Sequence, residues 1–364
     1  MIRAIGIDPG TLSFDVCGLE GNHLFLDRTI SSAELVAKPE VLMDMLQLAA
    51  PVDMIVGPSG YGLPWVRAQD ITSEQMKLII LSEERDRGQN TIVGGMHGIL
   101  QMLKESGLPV CFAPAVIHLS TVPVHRKVNR IDMGTADKLC AVALGIWDQS
   151  HHLEIDYHET SFIYVELGGA FTAVMAVEAG KVVDGLGGTA GCIGYLSSGA
   201  MDGELAYLLG SFHKEILCSG GVAYIAGKPQ LSPEELVALA QSDARCRLAW
   251  EAFLEGLVKY VAAEMSIVPS SREILISGRL SRIEEITYKV SRRLSAFAPV
   301  RKVKGFARVT KEAAQGAALI AEGVAGGSHK KLIEVMGLCE ASGTVLDHLY
   351  VKDAEALRQK LFDL

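Results

Sequence analysis

The chain has 364 residues, 49% apolar and 21% charged, a composition typical of globular proteins. Its net charge of −9 argues against nucleic-acid or anionic-membrane partners, because either would need a basic face. No stretch is apolar over the roughly 18 residues that a membrane span requires. The first residues lead directly into a strand pattern, and the seven cysteines are scattered without a C-x-x-C pair. We therefore expect a cytoplasmic protein with reduced thiols.

The first half predicts three antiparallel strands followed by alternating helices and strands. Strands are expected at 4–7, 13–19, 23–29, 52–56 and 109–112, and helices at 35–48, 73–105 with a break near 94–95, and 136–147. The second half repeats this order, with strands at 162–166, 171–177, 181–184, 273–276 and 300–303. Its helices are expected at 202–209, 233–241, 245–265, 283–294 and 311–325. Two halves that begin with the same order of strands indicate an internal repeat. Chance similarity is the alternative, because βα patterns are common.

The first motif is the end of the first predicted strand. Asp8 is followed by the tight turn Pro9-Gly10 and by the hydroxyls of Thr11 and Ser13. Backbone N–H groups and hydroxyls in such a turn can approach phosphate oxygens, while the carboxylate can hold Mg²⁺ or its waters. An ordinary hairpin is the alternative, since Asp-Pro-Gly is common in turns.

Two further turns are rich in glycine. Glu166 ends a strand before Gly168-Gly169, and a buried strand ends in Ser277-Gly278. Glycine lacks the Cβ that would keep a phosphate from the backbone, and ligands of α/β sheets lie at the carboxyl ends of strands. A plain hairpin would also use such glycines. The predicted cofactor-binding residues are Gly10, Thr11, Ser13, Gly168, Gly169, Thr172, Ser277, Gly278 and Arg279.

The remaining two segments are helices with many small residues, at 132–145 and 311–325. Their glycines and alanines would let the two helices cross closely, as at a hinge between domains, although dense core packing would use the same residues.

In this order the five segments resemble the phosphate-1, connect-1, phosphate-2, adenosine and connect-2 motifs of the acetate kinase/sugar kinase/Hsp70/actin (ASKHA) superfamily, over about 1–325. The chain is most similar to acetate and butyrate kinases and to the uncharacterised DUF1464 family of predicted butyrate kinases. The closer match rests on His125-Arg126-Lys127-Val128-Asn129 before a helix with Asp137-Lys138, on 180–185, and on 311–317.

The chain departs from the kinase pattern in three places. Leu12, Phe14 and Asp15 interrupt the hydroxyl-rich phosphate-1 turn, and the lysine that follows it in the kinases is missing. Glu166 stands where butyrate kinases tend to have histidine, with Ala170 in place of a third glycine. Arg279 replaces a usual glycine.

The resemblance implies an α/β fold of two ribonuclease-H-like (actin-like ATPase) domains with a nucleotide cleft between them. The expected division is 1–150, 151–328 and a helical tail at 329–364. It also implies ATP and Mg²⁺ as cofactors and, at the level of the family, a homodimer.

The activity implied is ATP-dependent phosphorylation of a small carboxylic acid to an acyl phosphate. Asp8 and Glu166 are the expected metal ligands, with Glu312 as a third. Arg126 is the expected clamp on the carboxylate or transition state, followed by Arg67. One alternative is an ATPase that changes shape to regulate a partner. The other is a kinase of a hydroxyl group, with Asp132 or Asp137 as base.

Overall fold

A computed structural model describes residues 1–10, 13–57, 60–81 and 92–362. Six strands of the first half form one sheet: β1 (Arg3–Pro9), β2 (Ser13–Glu20), β3 (His23–Ser31), β4 (Met54–Gly57), β5 (Val66–Arg67) and β6 (Val110–Phe112). Their order is β3-β2-β1-β4-β6-β5. Strands β1 to β3 are antiparallel neighbours, whereas β4 and β6 run parallel to β1. The middle of β1 is buried throughout, as expected of a central strand covered on both faces.

The helices of the first half are α1 (Ser32–Ala37), α2 (Glu40–Ala49), α3 (Ser73–Ile80), α4 (Ile92–Glu105), α5 (Val124–Lys127) and α6 (Ala136–Leu153). The helix predicted over 35–48 is therefore two helices, because Pro39 cannot donate the backbone hydrogen bond of a continuous helix. The break predicted near 94–95 lies earlier, because Leu81 adopts a left-handed conformation (φ 50°) and ends α3.

The second half builds a sheet of the same topology from β7 (Phe162–Leu167), β8 (Thr172–Glu178), β9 (Lys181–Leu186), β10 (Glu273–Ser277) and β11 (Val300–Lys302). Its order is β11-β10-β7-β8-β9. Strands β7 to β9 are antiparallel, and β10 and β11 run parallel to β7. Strands β7, β8, β9, β10 and β11 thus repeat β1, β2, β3, β4 and β6, which confirms the predicted internal repeat.

Eight helices among the described residues complete the second half: α7 (Gly203–Leu209), α8 (Val222–Ile225), α9 (Pro233–Leu239), α10 (Ala244–Ile267), α11 (Glu284–Leu294), α12 (Glu312–Val324), α13 (Lys330–Met336) and α14 (Ala354–Phe362). A capping box between Ser232 and Glu235 starts α9. Across the described ranges, none of the helices combines the length and the apolar character that crossing a bilayer would require.

Helix α12 packs against both β1 and α6 at backbone distance. A Cβ on Gly316 of α12 would overlap the carbonyl oxygen of Cys140 in α6, and one on Gly6 of β1 would overlap the backbone of α12 at Ala314 and Ala318. The predicted close crossing of the two small-residue helices is therefore confirmed.

This packing also joins α12 to the first half of the chain. Helix α12 lies on the first sheet, within the range 151–328 expected for the second domain. Its alanines share one hydrophobic core with Ile5 of β1 and with Leu332 and Ile333 of the tail. The chain thus returns to the first half after completing the second sheet.

We expect Gly316→Ala to destabilise the protein by about 1–3 kcal/mol, because an added methyl group must push α12 away from α6. Gly256→Ala in the interior of α10 is the matched control, since its Cβ would meet Cys192 Cβ at an ordinary 3.5 Å. That change should stabilise the helix by up to about 1 kcal/mol. Urea unfolding of both variants measures the difference, and equal effects would contradict the packing.

Candidate active site

A cleft of about 560 Å³ lies at the carboxyl ends of the central strands of both sheets. The turns after β1, β7 and β10 line it, together with the amino-terminal ends of α6 and α12. Asp8 is the next-to-last residue of β1, and Glu166 is the next-to-last residue of β7. The repeated topology therefore brings two equivalent carboxylates to one cleft.

On the side of the first sheet, one lysine joins two aspartates. Asp8 pairs in register with Asp15 across the β1–β2 hairpin. Lys311 Nζ lies 2.8 Å from Asp15 Oδ2 and 3.4 Å from Asp8 Oδ2. Thr29 Oγ1 donates a hydrogen bond of 2.5 Å to Asp15 Oδ1. Asp15 is thus held from two directions, and Asp8 has one oxygen directed to the ammonium.

On the side of the second sheet, Lys138 joins a glutamate and an aspartate. Its Nζ lies 3.1 Å from Glu166 Oε1 and 2.5 Å from Asp137 Oδ2. Thr135 Oγ1 donates to the other oxygen of Asp137. Glu166 Oε2 is buried and has no hydrogen-bond partner among the described residues. This oxygen is available to a ligand.

Burial makes the two equivalent carboxylates hard to ionise. It raises the pKa of Asp8 to about 6 against the opposing effect of Lys311, and the pKa of Glu166 to about 7 against that of Lys138. Burial acts on Asp137 as well, but Lys138 and the hydrogen bonds from Lys138 and Thr135 hold its pKa below the usual range.

The charges of this cluster are unbalanced. Four carboxyl groups (Asp8, Asp15, Asp137 and Glu166) face the ammonium groups of Lys138 and Lys311, so full ionisation leaves two negative charges in excess. Because all the free ligands are carboxylate oxygens, the site fits a hard divalent cation such as Mg²⁺.

The glycine turns fit a phosphate group. A Cβ on Gly168 would lie 2.6 Å from the carbonyl oxygen of Phe171, and one on Gly10 would lie 2.6 Å from Lys311 Nζ. Gly278 has a φ of 84°, which side chains avoid. In each turn a Cβ would meet protein atoms, so close packing requires the glycine, and backbone atoms line the cleft there.

Most of the predicted site residues meet in this cleft. Those that line it are Asp8, Gly10, Ser13, Glu166, Gly168, Gly169, Ser277, Gly278, Arg279 and Glu312. Thr172 does not line it, because its side chain is fully buried within β8. Thr11 lies outside the described residues.

The two predicted catalytic arginines lie elsewhere. Arg126 donates from Nη1 to the carbonyl oxygen of Val183 at 2.7 Å, and its Nε lies 3.8 Å from Asp184 Oδ2. These contacts hold Arg126 against β9 and outside the cleft lining. Arg67 is exposed on β5, where it pairs with Cys111 at the sheet edge. Neither guanidinium lines this cleft, whereas both were expected beside the substrate.

Sequence reasoning missed Lys311 and Asp15 as site residues. Asp15 stands in the sequence as an interruption of the phosphate-1 turn, but the hairpin register places it opposite Asp8. Lys311 follows nearly 300 residues later and caps the start of α12. Only the packing of α12 on β1 brings it to the turn, so no local pattern signals it.

Another group of lining residues surrounds Asp132. Asp132 Oδ2 accepts hydrogen bonds of 2.9 Å from both the backbone nitrogen and the hydroxyl of Thr189. Asp132 Oδ1 accepts one of 3.1 Å from Gly134 N. Tyr61 lies beside this pair, where burial and the charge of Asp132 raise the pKa of its phenol. The carboxylate is thus oriented by donors in the same cleft as the two carboxylate–lysine clusters.

Fold and cleft together define an α/β protein with an actin-like ATPase fold. A crystal structure of Porphyromonas gingivalis acetate kinase is 15% identical over 87% of this chain and 98% of its own, with a TM-score of 0.60. A propionate kinase from Francisella tularensis is 14% identical with the same coverage and TM-score. An Entamoeba histolytica acetate kinase is 10% identical over 81% of this chain and 87% of its own, with a TM-score of 0.56. These likenesses confirm the predicted fold class.

The chain belongs to the family described as "Protein of unknown function (DUF1464)", whose model matches residues 6–351. Among functionally curated proteins, none matches the chain in sequence.

The raised pKa of Glu166 predicts a pH-dependent stability of the metal-free protein. The folded chain binds the extra proton between the unfolded pKa, about 4.3, and the folded value of about 7. The free energy of unfolding therefore falls as the pH rises through this window, by at most about 4 kcal/mol from this group. Glu166→Gln should flatten the decline, as measured by urea unfolding from pH 5 to 8 in chelator.

Glu178→Gln, at an exposed position on β8, is the control and should follow the parent. Identical pH profiles for the parent and Glu166→Gln would contradict the burial of an ionisable Glu166.

Proposed function

We propose that the protein is an Mg²⁺- and ATP-dependent phosphotransferase acting on a small acceptor. One observation carries this proposal: Asp8 and Glu166 leave equivalent strand ends and meet in one cleft, each beside a lysine. An arrangement of acidic metal ligands, ammonium groups and glycine turns suits the transfer of a phosphoryl group, which depends on positioning and charge.

In this proposal Asp8 and Glu166 hold the metal, with Glu312 at the start of α12 as a third oxygen ligand. The turns at Gly10 and at Gly168-Gly169 receive the phosphates, and the nucleoside lies toward Ser277, Gly278 and Arg279. Bound ATP would supply the phosphoryl donor, and Mg²⁺ would offset the excess negative charge of the carboxylates.

The chain's own ammonium groups act on the transferring phosphoryl oxygens. Lys138 has its closer contact with Asp137, which is not a metal ligand in this proposal, so it presents a positive charge at a fixed place. Asp137 stays ionised because of this pairing and is a positioning residue for Lys138.

We propose a carboxylic acid as the acceptor. A carboxylate is ionised near pH 7, because its ordinary pKa is about 4 to 5, and it can attack the phosphoryl group without a general base. The likeness of the fold to acetate and propionate kinases supports this acceptor class.

A hydroxyl acceptor is the second candidate, and the environment of Asp132 favours it. Both oxygens of Asp132 accept hydrogen bonds from neutral donors, an environment that suits a substrate group able to donate a hydrogen bond better than a second carboxylate. A substrate hydroxyl could instead donate to it, and Asp132 would take the proton as the oxygen attacks.

An acceptor screen with Asp132→Asn separates the two classes. Release of ADP is measured with short-chain carboxylates, sugars and no acceptor, and hydroxylamine traps any acyl phosphate. With a carboxylate acceptor, Asp132→Asn keeps most of the activity because no base is needed. With a hydroxyl acceptor, it loses about 100-fold or more. Hydrolysis of ATP that no acceptor stimulates would contradict both and favour an ATPase switch.

Asp8→Asn should lower turnover at least about 100-fold and weaken metal-dependent ATP binding, because it removes a charged metal ligand. The amide keeps the volume of the side chain, so the fold should persist. Arg126→Ala is the matched comparison and should leave kcat within about twofold, since Arg126 binds β9 outside the cleft. Calorimetry and steady-state kinetics measure both, and the reverse pattern would contradict the assignment of the cleft.

A further inference from the structure

We propose that Lys311 is an exchangeable cation. In the nucleotide-free protein its ammonium occupies the position between Asp8 and Asp15, and it moves to the phosphate chain of the nucleotide when Mg²⁺ takes Asp8. This inference rests on the proposed function, because it specifies how the same cleft is occupied before and after the nucleotide binds.

The contacts of Lys311 are those of a cation in an oxygen site. Its Nζ lies 2.8 Å from Asp15 Oδ2, 3.4 Å from Asp8 Oδ2 and 3.5 Å from the carbonyl oxygen of Ser13. The carboxylates of Asp8 and Asp15 are 8% and 1% exposed. Three oxygens from one hairpin therefore surround a single ammonium, and two of them carry charge.

The ammonium can move although its backbone cannot. Lys311 caps the first turn of α12, and that helix is locked against β1 by Gly6 and against α6 by Gly316. The side chain of Lys311 remains 23% exposed to the cleft, and its four-carbon stem lets the charge change position.

Lys311 already lies against Gly10, at the start of the turn that is expected to receive phosphate. A Cβ on Gly10 would lie 2.6 Å from Lys311 Nζ. The turn itself contains no lysine between Gly10 and Val16. Lys311 therefore supplies, from the other end of the chain, the positive charge that this turn lacks.

A divalent ion and the ammonium exclude each other from Asp8. Two cations sharing one carboxylate a few ångströms apart repel, and the divalent ion binds an oxygen site more strongly than an ammonium does. Freed from Asp8, the ammonium keeps its closer partner Asp15 on one side and turns toward the negative phosphates on the other. Lys311 should accordingly oppose the binding of metal alone and support the binding of the triphosphate.

These opposite signs distinguish an exchangeable cation from a lysine that only stabilises the fold. Lys311→Met keeps the length of the stem and removes the charge. We expect it to bind Mn²⁺ alone about tenfold more tightly and to bind ATP, with Mn²⁺ present, about tenfold more weakly. A purely structural lysine would weaken both when replaced.

The test uses the full chain and Mn²⁺ as the probe. Electron paramagnetic resonance counts free Mn²⁺ during a titration without nucleotide, and calorimetry then measures ATP binding at saturating Mn²⁺. Lys311→Arg keeps the charge and should bind Mn²⁺ alone as weakly as the parent. Lys304→Met, at an exposed position outside the cleft lining, should match the parent in both measurements.

Unchanged or weaker Mn²⁺ binding by a folded Lys311→Met overturns the proposal, and so does unchanged ATP binding. Should Lys311→Met fail to fold, Lys311→Gln takes its place with the same two expectations. This result is independent of the acceptor screen. If Lys311→Met binds Mn²⁺ more tightly and ATP more weakly but the protein transfers no phosphoryl group, the exchange is supported and the kinase is rejected. If phosphoryl transfer occurs without these two changes in affinity, the kinase is supported and the exchange is rejected.

Discussion

The cleft depends on the contact of α12 with β1 and α6, which is closer than side chains allow. Gly6 and Gly316 remove the two Cβ atoms that would hold these backbones apart. The contact sets the position of the start of α12 relative to the end of β1, and hence of Lys311 and Glu312 relative to Asp8. Dispersion between closely packed backbones and alanines makes such a junction stiff. The charged side chains of the cleft are therefore positioned by the backbone packing beneath them.

The electrostatics of the cleft follow from burying more carboxylates than cations. Burial raises the pKa of Asp8 and Glu166, and the neighbouring lysines offset only part of that effect. A bound cation would favour the ionised form of both groups and release their protons. The cleft without a cation thus has a higher free energy, which a bound cation would lower.

The sequence predicted much of the fold because its signals are local. The strands, the glycine turns and the small-residue helices are read from periodicity and composition, and the structure places Asp8, Glu166, Gly168 and Gly278 in one cleft as those turns suggest. The errors concern long-range placement. Arg126 lies in a basic segment, but its partner is the carbonyl oxygen of Val183, which no spacing reveals.

A second kind of error concerns local helix ends. Pro39 separates α1 from α2, and Leu81 ends α3, although the apolar periodicity predicts a continuous helix at both places. The position of Lys311 could not be predicted, because it depends on the packing of α12 on the first sheet, which only the three-dimensional structure shows.

The repeated topology has a further consequence for how the two halves form. The strand-end carboxylate of each half of the sequence pairs with a lysine from the other half: Asp8 with Lys311 at the start of α12, and Glu166 with Lys138 in α6. Each half alone would thus bury its acid without that lysine. These two ion pairs link the halves in both directions. A fragment that ends between the sheets would therefore lack the lysine that compensates the carboxylate at its own strand end. Folding of the two halves is coupled through their ligand site.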